Sequence, residues 1–210
     1  MNPFALSESD SPESRRSERK LIERACKRDP EALREIIDSH KDRLFAFVWR
    51  MTHNHHDAEE ICQEAFLRAF AALDTFDPTY RFSTWLFTIA YRLTLNAGRR
   101  RKPLGGEVDL SALAGAEDSA SDQAASSEEA ARLKSVVWQA VEELSPPQRA
   151  AILMFYQQQQ GCHEIADVLG IPVATVKSHL HRARARLKAL LEPQLAEENA
   201  PDRILRELAG

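Results

Sequence analysis

Apolar positions along the chain recur at helical spacing and show no strand-like alternation. From Ala58 onward, Ile61, Cys62, Ala65, Phe66, Ala69, Phe70 and Leu73 follow one another at intervals of three and four, with Glu59, Glu60, Gln63, Glu64 and Arg68 between them. That spacing puts the apolar side chains on one face of a helix and the polar ones on the other. Asp57 has the character of its N-cap, with Glu60 at the capping-box position. Upstream, Asp29 and Pro30 form a cap and first-turn pair for a helix with Leu33, Ile36 and Ile37 inward, and Leu44, Phe45, Phe47, Val48 and Met51 continue its apolar face. A turn-prone stretch with Asp74, Asp77 and Pro78 separates these from a helix predicted from about Ser83 to Arg99. The opening residues, to about Arg16, are rich in Ser, Asp, Glu and Pro without periodicity, which predicts disorder.

The pattern weakens between Pro103 and about Ser127, where Ala, Ser, Gly and acids dominate, and this stretch reads as a linker. Helical spacing returns in Leu133, Val136, Val137, Ala140, Val141 and Leu144, and Ser145 with Pro146 opens a helix through Ile152, Leu153 and Phe155. His163 to Leu169 then reads as a short helix, Gly170 as a tight turn, and the residues from about Val173 as a long helix whose inner stripe is Val176, Leu180, Ala183, Leu187 and Leu190. Two helices joined this way have the spacing of a helix-turn-helix. The outer face carries Thr175, Lys177, Ser178, His179, His181, Arg182 and Arg184, types that bond bases or phosphates in a major groove. A helical hairpin with a merely solvated basic face would show the same pattern. The fold class predicted is all-α: two small bundles of three to four helices joined by a flexible acidic linker.

Charge sharpens this picture. The chain has 210 residues, 43% hydrophobic, and a net charge of −4, which spread evenly would argue against nucleic acid. The charge is in blocks instead. Arg81, Arg92, Arg99, Arg100, Arg101 and Lys102 form one acid-free stretch, and Lys177, Arg182, Arg184, Arg186 and Lys188 another, with an acidic run from Glu107 to Glu129 between them. Such blocks imply two anion-binding modules on an acidic tether. No apolar run is long enough to span a bilayer and no apolar leader opens the chain, which places it in the cytoplasm without membrane insertion. Cys26, Cys62 and Cys162 are widely spaced and read as core residues. His53, His55, His56 and Cys62 could ligate zinc, but the three histidines sit beside Asn54 in an expected polar turn, and no metal or cofactor is expected.

Three runs resemble a known family. Asp57-Ala58-Glu59-Glu60-Ile61-Cys62-Gln63-Glu64-Ala65-Phe66 is similar to the region 2 signature of the extracytoplasmic-function (ECF) sigma factors of the sigma-70 family. Phe82-Ser83-Thr84-Trp85-Leu86-Phe87-Thr88-Ile89-Ala90 resembles the segment that follows it, and Ile171 to Arg184 resembles the region 4 recognition helix. The resemblance implies domains at 17–102 (region 2) and 128–192 (region 4), a linker at 103–127, a disordered segment at 1–16 and a tail at 193–210. It implies that Asp57, Glu59, Glu60, Gln63 and Glu64 dock on the β′ subunit of core RNA polymerase, within a holoenzyme that also includes β, while Phe66 is core. It implies that the stretch from Phe76 to Phe82 holds an unstacked base of the downstream promoter element. Phe76, Tyr80 and Phe82 are then base contacts or core residues, Trp85 is core, and Arg81 and Arg92 neutralise phosphate. Arg99, Arg100, Arg101 and Lys102 become backbone contacts. Region 4 would read the upstream element as duplex, the acidic linker would thread the polymerase channel, and an anti-sigma factor would hold the protein inactive. Arg92 stands where many relatives have Asn and His179 where many have Arg, so the promoter sequence does not transfer.

No phosphate loop, nucleophile triad or catalytic carboxylate pair is present, so the chain is expected to be a non-catalytic initiation subunit. Two rivals remain at this stage. One is an autonomous DNA-binding regulator, which would bind promoters tightly without polymerase. The other is a nucleic-acid enzyme with a metal-dependent site built on His53, His55, His56 and Asp57.

Overall fold

The computed structural model describes residues 12–100 and 126–192, and every regular element among them is helical. The first bundle holds α1 (Pro12–Cys26), α2 (Pro30–Thr52), α3 (His55–Ala71) and α4 (Phe82–Arg100). The second holds α5 (Ser126–Glu142), α6 (Pro146–Ile152), α7 (Cys162–Leu169) and α8 (Val173–Leu191). Residues 1–11, most of the expected linker and the tail, with Ile204, Leu205 and Leu208, lie outside the described residues.

Local chemistry explains the boundaries. The Asp29 carboxylate accepts from the Glu31 N–H at 3.0 Å and Pro30 opens α2, as its sequence suggests. That helix runs to Thr52, where His53 adopts a left-handed conformation (φ 53°) and its N–H closes on the Trp49 carbonyl. Helix α3 starts earlier than its sequence suggests. Asn54, not Asp57, is the N-cap, its side-chain oxygen accepting from the Asp57 N–H at 2.9 Å. His55 and His56 therefore lie in the first helical turn, beside Glu59 and Glu60, rather than in a loop. Helix α1 also starts early: residues 12–16, expected to be disordered, are helical, with Glu13 at the positive end of the helix dipole and Arg24 at the other. Its Ile22 and Ala25 are buried, and it packs on α2.

In the first bundle, α2, α3 and α4 pack around Ile36, Leu44, Phe47, Ala58, Ala65, Phe82, Leu86 and Phe87. In the second, α8 lies against α5, α6 and α7, and Ile152, Leu153, Met154, Ile165 and Val176 fill the centre. Helix α6 runs into a π-helical turn, Leu153–Gln157. The bundles also touch, chiefly through α4 against α7. No described helix is long and apolar enough to cross a membrane.

Candidate nucleic-acid interface

The helix-turn-helix is built as its sequence predicts. Gly170 takes φ 66° and ψ 37° and donates to the Ala166 carbonyl, and Ile171 donates to the same carbonyl at 3.1 Å. The Glu164 side chain accepts from the Gly161 N–H at 2.8 Å and anchors the start of α7. Val176, Leu180, Ala183 and Leu187 are buried along α8 as expected. The last inward position is Leu191, with Leu190 only half-buried, because 3.6 residues per turn carry the stripe from Leu187 to the residue four later.

On the outer side of α8, Lys177, His181 and Arg182 are exposed, while Thr175, Ser178 and His179 are half-buried. Arg184 turns back toward its own bundle. Its Nε donates to the Tyr156 hydroxyl at 2.8 Å, and its guanidinium lies 5.2 Å from the centre of the Phe155 ring. It steadies the base of the recognition helix, which sequence spacing alone could not reveal.

A cavity of about 250 Å³ opens between the segment that joins α3 to α4, the first half of α4 and one residue of α7, lined by Thr75, Phe76, Asp77, Tyr80, Thr84, Trp85, Thr88 and Asp167. Phe76 and Trp85 wall it, ring centres 5.2 Å apart, and Tyr80 stands at its mouth, 53% exposed. Thr79 holds the loop in shape: its N–H and hydroxyl bond the Asp77 carboxylate and keep it below the usual carboxylate range. Phe82 is fully buried, behind Phe76 and Trp85 and edge-on to His40, so its ring offers no open face to a base. Phe82, left by the sequence as base contact or core, points into the core from the first position of α4, and Trp85, expected in the core, packs against it and also lines the cavity.

Arg81 is half-buried and its Nε lies 3.3 Å from a Glu18 oxygen in α1. Burial raises the Glu18 pKa and Arg81 partly opposes that. Arg92 is exposed on α4. Arg99 and Arg100 end that helix, and Arg101 and Lys102 lie outside the described residues.

The polar face of α3 presents Glu59, Glu60 and Gln63 to solvent, with Asp57 and Glu64 half-buried. Glu64 pairs with Arg68 at 2.6 Å. Leu67, 59% exposed, shares this face, four residues beyond Gln63 and seven beyond Glu60. It was legible as the one large apolar residue of the helix out of phase with the buried stripe. Phe66 is buried, packed against Phe70. The histidines beside α3 do not converge. His53 contacts Arg149 and Glu142, His55 faces Glu59, and His56 faces Glu60. Burial pushes the Cys62 thiol up to about 12.

Comparison with known proteins gives this geometry a family. Residues 36–103 match the model of sigma-70 region 2 and residues 134–187 that of sigma-70 region 4. The ECF RNA polymerase sigma factor SigW of Bacillus subtilis is 35% identical over 182 residues, covering 82% of this chain and 96% of its own. The chain belongs to the ECF sigma factors. Among solved structures, this sigma factor is similar to CnrH, determined in complex with the cytosolic domain of CnrY, with a TM-score of 0.63 at 26% identity over 85% of this chain and 99% of that one. It shares the fold of the Bartonella quintana sigma factor RpoE, determined with the anti-sigma factor NepR, with a TM-score of 0.61 at 23% identity over 76% and 96% of the two chains. The cavity and α3 fall within the region 2 match and the helix-turn-helix within the region 4 match. This sigma factor is thus a transcription-initiation subunit that serves RNA polymerase and promoter DNA.

Proposed function

We propose a division of labour in which each face just described carries one step of initiation. The polar face of α3, with Asp57, Glu59, Glu60, Gln63, Glu64 and the exposed Leu67, docks on the β′ subunit. The cavity lined by Phe76 and Trp85 takes a base extruded from the downstream element. Unstacking a base costs a few kcal/mol, and stacking on an aromatic returns about 1–3 kcal/mol. Tyr80 closes over that base, and Arg81, Arg92 and the run Arg99 to Lys102 lead the strand along α4 by its phosphates. Helix α8 reads the upstream duplex, with Lys177, His181 and Arg182 at its exposed centre and Thr175, Ser178 and His179 beside them. The cavity carries this reading: an aromatic-walled space of about 250 Å³ suits one base.

On the same reading the chain itself catalyses nothing, nucleotide addition belongs to the core enzyme, and the protein works in the cytoplasm. An anti-sigma protein covers the docking and DNA-binding faces; the likeness to CnrH, determined with a protein partner, supports that role. The expected limits 17–102 and 128–192 delimit the two modules, except that α1 extends the first to Pro12 and α5 the second to Ser126, which shortens the tether accordingly.

In vitro transcription with purified core polymerase on fragmented genomic DNA, with 5′ ends mapped, tests the reading. Start sites that appear only with the protein and share a two-part upstream motif are expected. No new starts, together with tight promoter binding by the protein alone, would turn it into an autonomous regulator.

A further inference from the structure

We propose that Glu18 of α1 is a positioning residue for capture of the melted strand, fixing the start of α4 and, through it, the aromatic walls of the cavity. The proposal rests on the reading of that cavity given above. The sequence at the start of α4 is poorly suited to open a helix. Arg81 stands at the N-cap position, where its carbonyl accepts the Trp85 N–H at 3.2 Å, but an arginine side chain has no acceptor to offer the free N–H groups of the first turn. No acid follows in that turn, and the arginine's charge opposes the positive end of the helix dipole. Glu18 supplies both missing elements from another helix. Its carboxylate accepts the Phe82 N–H and lies 3.3 Å from the Arg81 Nε.

Burial makes this pair matter. The Arg81 and Glu18 side chains are only 18% and 21% exposed, so salt and water screen them little and either charge left alone would be costly. Arg81 also stands among like charges: burial lowers the pKa of Arg43 and of His40 on α2, and the Arg81 charge adds to both shifts. Without Glu18 that repulsion favours a guanidinium turned out to solvent, and the Phe82 N–H loses its acceptor. Either change loosens the same turn. From there the effect reaches the cavity by two short routes. Trp85, one cavity wall, is tied to the Arg81 carbonyl by its own N–H. The fully buried Phe82 ring backs both walls, its centre 5.8 Å from those of Phe76 and of Trp85. Glu18 is not among the residues that line the cavity, so it acts on a captured base through these neighbours.

A double-mutant cycle on open-complex formation tests this, with full-length protein, core polymerase and permanganate footprinting. Glu18→Ala is expected to lower opening by roughly fivefold or more, while co-purification with core polymerase and the upstream duplex gel shift stay unchanged. Glu18→Gln, which keeps an acceptor for the Phe82 N–H but not the charge beside Arg81, is expected to fall between Glu18→Ala and the wild type. In a Trp85→Ala background the further loss on Glu18→Ala is expected to shrink to roughly twofold or less, because residues that act as a unit are not additive. A residue that merely stabilised the bundle would cost the same in both backgrounds. Opening that survives Glu18→Ala, or equal losses in the two backgrounds, would overturn the proposal. Wild-type opening in Trp85→Ala alone would instead sink the cavity reading, and the proposal with it. Should Glu18→Ala not fold, as read by circular dichroism, the same cycle with Glu18→Gln decides, and no loss, or equal losses in both backgrounds, again overturns the proposal.

Discussion

Arg182 is exposed on α8, one turn beyond Ser178, another candidate contact. If it reads a base edge, Arg182→Ala costs about 1–3 kcal/mol of promoter affinity and relaxes preference at one upstream position. A selection over randomised upstream elements measures this, and uniform weakening with a shallower salt slope would reassign it to phosphate. Trp85 was legible as an aromatic but not as a cavity wall, because helix phase at the first turn of α4 was uncertain by a residue or more; the buried ring proved to be Phe82. Trp85→Ala is therefore expected to impair strand opening, by the roughly 1–3 kcal/mol of one stacked base, while upstream duplex binding stays unchanged. Permanganate footprinting of the holoenzyme reads the first and a duplex gel shift the second. Opening that survives the substitution would move the base out of this cavity.

The helices were legible wherever a cap met a periodic run, as at Asp29-Pro30 and at Gly170. They were misplaced where two good caps compete: Asn54 and Asp57 are both N-cap types, and the structure selects the earlier. At Gly170 nothing lies within 4 Å of a Cβ built on the backbone, so Gly170→Ala meets open space and its penalty is conformational. With φ at 66° that penalty is about 1–2 kcal/mol, read as a lower denaturant midpoint for the second bundle; an unchanged midpoint would mean that the turn relaxes. The seam of α2 and α4 carries a different sensitivity. His40 sits there, edge-on to Phe82, and burial lowers its pKa below the usual 6.5, helped by Arg43 and Arg81 and opposed by its bond to the Ile36 carbonyl. A histidine depressed in the folded state gives stability that is present above pH 6.5 and is lost as pH falls through its folded pKa. Melting temperature should thus drop between about pH 7.5 and about pH 5.5, and drop less in His40→Gln. Equal drops in both proteins would assign the acid sensitivity to other groups, His53 among them.

For the molecule as a whole, the two-module plan was legible from charge blocks, since Lys and Arg cluster at either end of an acidic run. The packing of the modules on each other was not. Its contacts, such as Arg43 with Gln158, join positions 115 apart through polar side chains that leave no periodic trace. The plan makes initiation depend on both modules being held on one chain. Once α3 is docked and α8 has found its duplex, the tether makes capture of the downstream strand an intramolecular event, with an effective concentration in the millimolar range. A protease site inserted between residues 103 and 125 and then cut would abolish that advantage without touching either bundle. Initiation at a two-part promoter should fall about 10²-fold or more when the halves are at micromolar concentration, while the first bundle still co-purifies with core polymerase. Raising the concentration of the second half should recover part of the loss. Full activity after complete cleavage would mean that one module suffices and that the acidic tether serves another purpose.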